Sequence, residues 1–298
     1  MNPNGKSEKE KSRPKVGLVL SGGAARGLAH LGVISVLTEY KIPVDFIVAA
    51  SYGSIVGGYW SYGYSISEIL EIAKKFRLLN VMDFKKPWRH ILSTDKTLTA
   101  FRRDLGDAQI EDLKVPLSIL AIDFEDGSLF AFEKGSLAKA MCASSAAPGL
   151  YTPYRHNNRL YIDGGLFNTA LPGRARKMGA DIIILSDVDI ISIYAKNRFI
   201  QKVYKKLWLR VLKKRKKNGT EINKFTLKNV IFKTICIAQD YKNNRIGFPE
   251  SNPDFIIKPI KREIKLLRFR KVEEGFELGR VAALEVIDEI KKCTSFTV

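Results

Sequence analysis

A serine and an aspartate, both residue types that can take part in catalysis, stand in small-residue turns far apart in this sequence. Ser51 lies in Ala-Ala-Ser-Tyr-Gly at residues 49–53, and Asp163 begins Asp-Gly-Gly at residues 163–165. A serine hydroxyl attacks an ester only weakly until a neighbouring base accepts its proton. The turn at Ser51 is therefore a candidate site of nucleophilic catalysis, and the turn at Asp163 allows another element to approach closely.

The turn at Ser51 has the surroundings that a nucleophile elbow needs. An apolar run at residues 46–50 predicts a buried strand, and residues 52–60 predict a helix that follows at once. Such a sharp turn exposes the hydroxyl at a helix N-terminus, and small neighbours let the backbone fold back tightly. The usual pattern is G-x-S-x-G; Gly53 keeps its second glycine, while Ala49 replaces the first. Taken alone, a packing turn with a capping serine explains the segment equally well.

A second small-residue loop, Leu-Ser-Gly-Gly-Ala-Ala-Arg-Gly, covers residues 20–27. Backbone N–H groups of Gly22, Gly23 and Ala24 can crowd around one anionic oxygen there, which suits a phosphate or an oxyanion. A dinucleotide fingerprint needs a glycine where Ala24 stands and an acid at the end of the second strand, but Asp45 precedes that strand. Dinucleotide binding is therefore disfavoured.

Two further segments complete the set. Residues 143–153, Ala-Ser-Ser-Ala-Ala-Pro-Gly-Leu-Tyr-Thr-Pro, predict a helix end that passes into a rigid loop. Asp-Gly-Gly at residues 163–165 follows a predicted strand, and its glycines allow close approach of another element. In isolation, Asp-Gly-Gly is more often a plain turn.

These segments must be positioned by alternating strands and helices. We predict strands at residues 16–20, 46–50, 117–124, 129–132, 159–162, 181–185 and 254–257, and helices at residues 28–37, 52–60, 136–144 and 272–291. Strands that alternate with helices favour a parallel sheet covered on both faces. The expected fold class is α/β, a three-layer α/β/α arrangement with a mostly parallel central sheet.

The combination of motifs is more specific than any one of them. In their order and context, they resemble those of bacterial patatin-like phospholipases over residues 16–187, and weakly again over residues 252–290. The resemblance does not cover residues 193–252. Family members usually have glycine where Ala24 and Ala49 stand; both replacements keep a small side chain, so we expect the geometry to survive.

The resemblance implies a serine–aspartate dyad in a lipid acyl hydrolase, without metal or cofactor. Ser51 would be the nucleophile and Asp163 the general base, whose pKa would need raising by partial burial. An oxyanion would be held by the N–H groups of Gly22, Gly23 and Ala24, and the supporting motif residues would be Arg26, Gly27, Gly53, Gly164 and Gly165. Arg26 would steady the loop, form a salt bridge or meet a lipid phosphate. The substrate would be a phospholipid or lysophospholipid, with acyl transfer to an alcohol as a variant.

Two alternatives stay open at this stage. Ser51, Asp123 or Asp126, and His156 follow the chain order of an α/β-hydrolase triad, although His156 lies in a polar turn just before the Asp163 strand. His30, on the first helix, is expected to be a packing histidine. A lipid-binding scaffold with a decayed site would also fit the replacements Ala24 and Ala49, but both Ser51 and Asp163 are retained.

The charge is concentrated outside these motifs. The net charge is +19, and residues 193–217 hold eleven basic and no acidic side chains. Residues 1–15 contribute +3 and residues 258–271 contribute +6, so the rest of the chain is almost neutral at −1. Residues 200–212 show helical apolar spacing, which predicts a basic amphipathic helix. An anionic membrane surface is the favoured partner, with nucleic acid not expected. The proposed membrane contacts are Lys213, Lys214, Arg215, Lys216 and Lys217.

Composition sets the remaining expectations. Three cysteines without C-x-x-C spacing disfavour a disulfide scaffold and a cysteine zinc site. Residues 46–67 carry no charge but hold four glycines and five serines, which disfavours a membrane span. We expect a disordered basic tail at residues 1–15, one catalytic domain at residues 16–298, and a helical insertion or lid at residues 193–252. The N-terminus lacks an apolar signal region, so we expect a cytoplasmic protein, peripheral on the inner membrane face.

Overall fold

A computed structural model gives the structure of this protein. It describes residues 13–76, 78–82, 91–188, 230, 234, 237, 252–259 and 270–294. The proposed membrane contacts at residues 213–217, and almost all of the predicted insertion at residues 193–252, lie outside the described residues. The predicted tail at residues 1–15 is described only from Arg13, whose guanidinium forms an ion pair with Asp45 at 2.7 Å.

The described elements alternate as the sequence predicts. The strands are β1 (Val16–Leu20), β2 (Phe46–Ala50), β3 (Leu117–Asp123), β4 (Leu129–Phe132), β5 (Tyr154–His156), β6 (Arg159–Asp163), β7 (Ile182–Ser186) and β8 (Phe255–Ile257). The helices are α1 (Ala29–Glu39), α2 (Tyr52–Tyr62), α3 (Ile66–Lys75), α4 (Leu78–Val81), α5 (Thr94–Leu105), α6 (Leu137–Ser144), α7 (Leu171–Lys177), α8 (Val272–Leu284) and α9 (Ile287–Thr294). Short 3₁₀ turns cover Ala24–Leu28, Ile110–Asp112 and Gly164–Ala170.

These strands form one mixed sheet, in which β3, β2, β1, β7 and β8 are parallel neighbours. Strands β4 and β6 join β3 in the antiparallel sense, and β5 pairs with β6. Every residue of β1, β2 and β3 is buried, as expected when both faces of a parallel sheet are covered. The predicted α/β class with a mostly parallel central sheet is confirmed.

Alternate residues of the central strands enter different apolar layers. Leu18 and Ile47 belong to the larger cluster, which includes side chains of α1, α2, α5 and α6. Val19 and Val48 belong to a smaller cluster that α7 covers. Because successive side chains of a strand point to opposite faces, the sheet forms the middle of three layers.

The register of β3 explains how two distant turns meet. Strand β4 pairs with residues 119–122 of β3, so it occupies one edge of that strand. On the other edge, β2 ends with Ala50 beside Leu120, while β6 ends with Asp163 beside Ala121. Strands β2 and β6 therefore approach each other head-on along one edge of β3. The residues at their C-terminal ends become spatial neighbours.

Some elements differ from the sequence prediction. The prediction of one continuous helix at residues 272–291 is wrong, because α8 ends at Leu284 and α9 starts at Ile287. The sequence prediction lacks helices α3, α4, α5 and α7 and strand β5. The uncharged residues 46–67 form β2, the Ser51 turn, α2 and the start of α3. Among the described residues, no helix has the length and apolar character needed to cross a bilayer.

Candidate active site

The turn between β2 and α2 holds Ser51 in a conformation that few residues other than glycine adopt. Its φ of 53° and ψ of −130° place the backbone in a sparsely populated region, at a cost of roughly 1–3 kcal/mol. Gly53 is required beside it, because a Cβ there would overlap the carbonyl oxygen of Leu20. The strained strand–turn–helix expected from the sequence is present, with Ser51 only 8% exposed.

The buried hydroxyl of Ser144 holds this turn through hydrogen bonds. The backbone N–H of Ser51 donates to Oγ of Ser144 at 2.9 Å, and the Ser144 hydroxyl donates to the carbonyl oxygen of Leu120 at 2.6 Å. Ser144 lies at the end of α6 and is fully buried. The small-residue segment at residues 143–153 thus anchors the turn to β3.

The Ser51 hydroxyl donates to Oδ2 of Asp163 at 2.7 Å. The other oxygen of this carboxylate, Oδ1, accepts the backbone N–H of Gly165 at 2.7 Å. Burial raises the pKa of Asp163 to about 6, because a buried site disfavours the charged carboxylate more than the two hydrogen bonds favour it. The side chain is thus oriented, and it is more basic than an ordinary aspartate.

The glycine loop lies directly against this pair. A Cβ on Gly22 would stand 2.7 Å from Cα of Gly165 and 2.9 Å from Cβ of Ser51. A Cβ on Gly23 would stand 2.7 Å from the carbonyl oxygen of Val188. Only glycine fits at these two positions without displacing neighbours. Ala24 adopts a positive φ of 49°, a conformation that favours glycine.

The N–H groups of this loop are not equivalent. The N–H of Gly22, expected from the sequence to hold an oxyanion, donates instead to Oδ1 of Asn168 at 2.8 Å. No described residue accepts a hydrogen bond from the N–H groups of Gly23 or Ala24. Both residues line the same cavity as Ser51. In this structure, Gly23 and Ala24 are therefore the candidate oxyanion donors, and Gly22 is not.

The supporting motif residues serve close packing. Gly27 faces the ring of Tyr52, since a Cβ would stand 2.5 Å from Cδ1 of that ring. Gly164 leaves no room for a side chain against the carbonyl oxygen of Leu120. The Arg26 side chain lies in the 3₁₀ turn after the glycine loop and is only 6% exposed. This position suits support of the loop better than contact with a lipid at the surface.

A cavity of about 1500 Å³ opens over the Ser51–Asp163 pair. Its wall is largely apolar and includes Leu31, Ile55, Val56, Ile69, Val81 and Phe101. Exposed charged side chains, among them Lys75, Asp95, Lys96 and Arg103, lie towards its mouth. A long apolar group can occupy such a space while a polar group stays near the opening.

Neither of the two described histidines, His30 and His156, forms a hydrogen bond with Ser51 or Asp163. His156, on β5, packs against the ring of Phe132 at 5.6 Å and makes no described hydrogen bond to Ser51. Asp123 instead accepts a hydrogen bond from Arg159 at 2.6 Å. The described geometry therefore does not assemble a triad from Ser51, Asp123 and His156. Asp126, the other candidate acid, lies 3.5 Å from Arg159.

His30 is a fully buried polar residue beneath the glycine loop. Its Nε2 donates to the carbonyl oxygen of Ser21 at 2.9 Å, and its Nδ1 accepts from the Ser186 hydroxyl at 2.7 Å. Burial lowers the pKa of His30 to about 4, so it is neutral at physiological pH. These contacts agree with the packing role expected from the sequence.

Comparison with known proteins settles the family. The profile described as patatin-like phospholipase matches residues 18–172, more than half of the chain. This protein belongs to the patatin-like phospholipase family. The resemblance drawn from its motifs is confirmed. Within the described residues of this patatin-like protein, no cluster of three or more His, Cys, Asp or Glu side chains could hold a metal ion.

Two curated relatives are similar over the motif region. An uncharacterised NTE family protein of Mycobacterium tuberculosis is 34% identical over 176 residues, which are 58% of this chain and 49% of that protein. Lysophospholipase NTE1 of Candida albicans is 33% identical over 189 residues, which are 59% of this chain and 13% of the fungal protein. The alignments thus span about half of the mycobacterial protein and a small part of the fungal one.

One solved structure is also similar. VipD from Legionella pneumophila superposes with a TM-score of 0.46 at 16% sequence identity, over 93% of this chain and 67% of VipD.

Proposed function

We propose that this patatin-like protein is a serine acyl hydrolase that cleaves acyl esters of phospholipids or lysophospholipids through Ser51 and Asp163. The observation that carries the proposal is the 2.7 Å hydrogen bond from the Ser51 hydroxyl to Asp163, two residues that line a largely apolar cavity. The pKa of Asp163, raised by burial to about 6, gives this carboxylate a basicity useful for proton transfer near neutral pH.

The first half-reaction forms an acyl-enzyme. Oγ of Ser51 attacks the ester carbonyl carbon while its proton passes to Oδ2 of Asp163. The tetrahedral intermediate then collapses, the bond to the leaving alcohol breaks, and that oxygen takes the proton from Asp163. The Gly165 N–H, bonded to Oδ1, keeps the carboxylate in place throughout.

Water completes the cycle. The oxygen of a water molecule attacks the acyl-enzyme carbonyl while Asp163 accepts a proton from that water. Collapse of the second tetrahedral intermediate releases the fatty acid and returns the proton to Ser51. An alcohol in place of water would give acyl transfer by the same route.

The negative oxygen of each intermediate is assigned to the N–H groups of Gly23 and Ala24. Both residues line the cavity with Ser51, and their N–H groups have no described acceptor. Loss of one such donor typically lowers kcat by about 10²–10³-fold.

The substrate class is supported by the cavity and by one relative. The apolar wall and the volume of about 1500 Å³ suit a long acyl chain. The relative from Candida albicans carries the name lysophospholipase. We propose a peripheral attachment to anionic membranes through the basic segment at residues 193–217, which would bring the cavity close to its substrate.

Fatty acid release from a defined lipid tests this function. Wild type and Ser51→Ala are incubated with a lysophospholipid and, separately, with the corresponding diacyl phospholipid, and products are measured by mass spectrometry. We expect release by wild type only. Lipid binding without release by either protein would instead identify a lipid-binding scaffold whose site has decayed.

A further inference from the structure

The side chain of Asn168 bridges the two loops that form the active site. Its Oδ1 accepts the N–H of Gly22 at 2.8 Å, and its Nδ2 donates to the carbonyl oxygen of the same residue at 3.1 Å. Asn168 belongs to the 3₁₀ turn Gly164–Ala170 that follows Asp163. One amide thus holds both backbone groups of a residue that lies 146 positions away in the chain.

The orientation of this amide is fixed by its partners. A backbone N–H can only donate and a carbonyl oxygen can only accept, so Oδ1 must face the former and Nδ2 the latter. A carboxylate at this position could not donate to the Gly22 carbonyl. The arrangement therefore requires an amide and not merely a polar side chain.

The second hydrogen bond has a consequence for catalysis. The Gly22 carbonyl and the Gly23 N–H belong to one planar peptide group, and in a trans peptide these two bonds point in opposite directions. By holding the carbonyl oxygen towards its own turn, Asn168 directs the Gly23 N–H to the opposite side. Gly23 lines the cavity that contains Ser51.

Without this hydrogen bond, the peptide group that joins Gly22 and Gly23 would lose the directional restraint that Asn168 gives it. Gly22 and Gly23 have no Cβ, so their dihedral angles are less restricted than those of other residues. The close contact of Gly22 with Gly165 fixes the spacing of the loops, but it has no direction that would orient a peptide group. A directional hydrogen bond supplies that orientation.

We propose that Asn168 is a positioning residue that orients the Gly23 N–H as an oxyanion donor and couples the oxyanion loop to the Asp163 loop. The catalytic part of this inference rests on the proposed function. Asn168 does not line the cavity, so it acts on the reaction through the glycine loop and not through substrate binding.

Kinetics of Asn168→Ala and Asn168→Asp test the catalytic part. We expect kcat on a p-nitrophenyl ester to fall by about 10–100-fold in both variants, with KM changed by less than about twofold, because one donor loses its orientation while the cavity is intact. Affinity for a boronic acid, which forms a tetrahedral adduct with Ser51, should fall in parallel. Thr169→Ala is the matched control, since Thr169 lies on the same turn with an exposed side chain and should keep wild-type kcat.

Hydrogen exchange measures the loop without any need for activity. The Gly22 amide should be protected in wild type and exchange at least about tenfold faster in Asn168→Ala. Unchanged exchange, or wild-type kcat in both Asn168 variants, would overturn the proposal. If wild type released no fatty acid while exchange still rose in Asn168→Ala, the proposed function would fail and the role of Asn168 in holding the loop would stand.

Discussion

The burial of one carboxylate sets the pH dependence expected for the proposed hydrolysis. Asp163 must be ionised to accept the Ser51 proton, and its pKa is raised to about 6. We therefore predict that kcat/KM on a soluble ester rises with pH and levels off above an apparent pKa of about 6. This apparent pKa belongs to the protein without bound substrate, because kcat/KM reports the ionisation of groups in that state. Measurement of kcat/KM at a series of pH values from about 4.5 to about 8 checks this. A profile that is flat over that range would show that Asp163 is not the base.

Ala24 has a positive φ, a backbone conformation that favours glycine over alanine. At a φ of 49°, alanine is strained by roughly 1–2 kcal/mol relative to glycine, while glycine loses about 0.5–1 kcal/mol more conformational entropy on folding. We predict that Ala24→Gly raises the free energy of unfolding by up to about 1 kcal/mol and keeps hydrolysis at the wild-type level or above. Chemical denaturation measures the first quantity. A loss of stability beyond about 1 kcal/mol would contradict the strain argument.

At the scale of elements, two glycines allow helices α1 and α8 to pack closely against each other. A Cβ on Gly279 would overlap the backbone carbonyl of Ala29, and a Cβ on Gly32 would overlap the backbone of α8 at Phe276. We predict that Gly279→Ala lowers the free energy of unfolding by about 1–3 kcal/mol, since a backbone contact cannot be relieved by a rotamer change.

Gly57→Ala is the matched control for this contact. Gly57 also lies within a helix, but a Cβ there would meet side chains and no backbone, namely those of Leu20 at 3.3 Å, Ile47 at 3.4 Å and Leu117 at 3.6 Å. Because alanine favours a helix by about 0.8–1.0 kcal/mol over glycine, this variant should be neutral or more stable. Equal destabilisation of Gly57→Ala and Gly279→Ala would mean that helix contact is not the cause.

Prediction from sequence succeeded where local patterns are strong. The apolar runs of β1 and β2 are buried at every position, and that is the signal a central parallel strand gives. Helix α3 was missed even though Ser65 and Glu68 form a capping box at its start. The break between α8 and α9 leaves no comparably clear mark, because Glu285 and Val286 are ordinary residues for a helix interior.

The site was predictable in part. Ser51 and Asp163 could be chosen because the small-residue motifs together, in their order along the chain, resemble those of patatin-like phospholipases, although neither turn decides the choice alone. Ser144 and Asn168 could not be assigned roles, since each depends on a hydrogen bond to a distant backbone group. The meeting of β2 and β6 likewise depends on how both pair with β3, which local sequence does not encode.

At the scale of the whole molecule, the excess positive charge and the proposed catalytic motifs lie in different segments of the chain. Residues 193–217 hold eleven basic side chains and no acidic ones, whereas the motif segments are almost neutral. We predict that the protein binds vesicles with anionic lipid at low ionic strength, and that binding falls steeply as salt rises, because screening shortens the reach of these charges to about 10 Å at 0.1 M.

Sedimentation with vesicles measures this binding and tests which basic residues are responsible for it. Neutral phosphatidylcholine vesicles are the control lipid, and glutamine at Lys213, Lys214, Arg215, Lys216 and Lys217 is the variant. We expect weaker binding of the variant to anionic vesicles but unchanged hydrolysis of a soluble ester. Undiminished vesicle binding by the variant would remove this segment from the membrane contact.

The central claim is that Asp163, and not His156, serves Ser51 as its base. The most direct test compares hydrolysis of a p-nitrophenyl ester by Asp163→Asn and His156→Ala, with folding checked by thermal unfolding. Asn can keep the shape of the side chain but cannot accept the proton, so we predict a loss of at least about 10²-fold in kcat for Asp163→Asn. His156→Ala should retain wild-type kcat. Activity that survives in Asp163→Asn and disappears in His156→Ala would contradict the account.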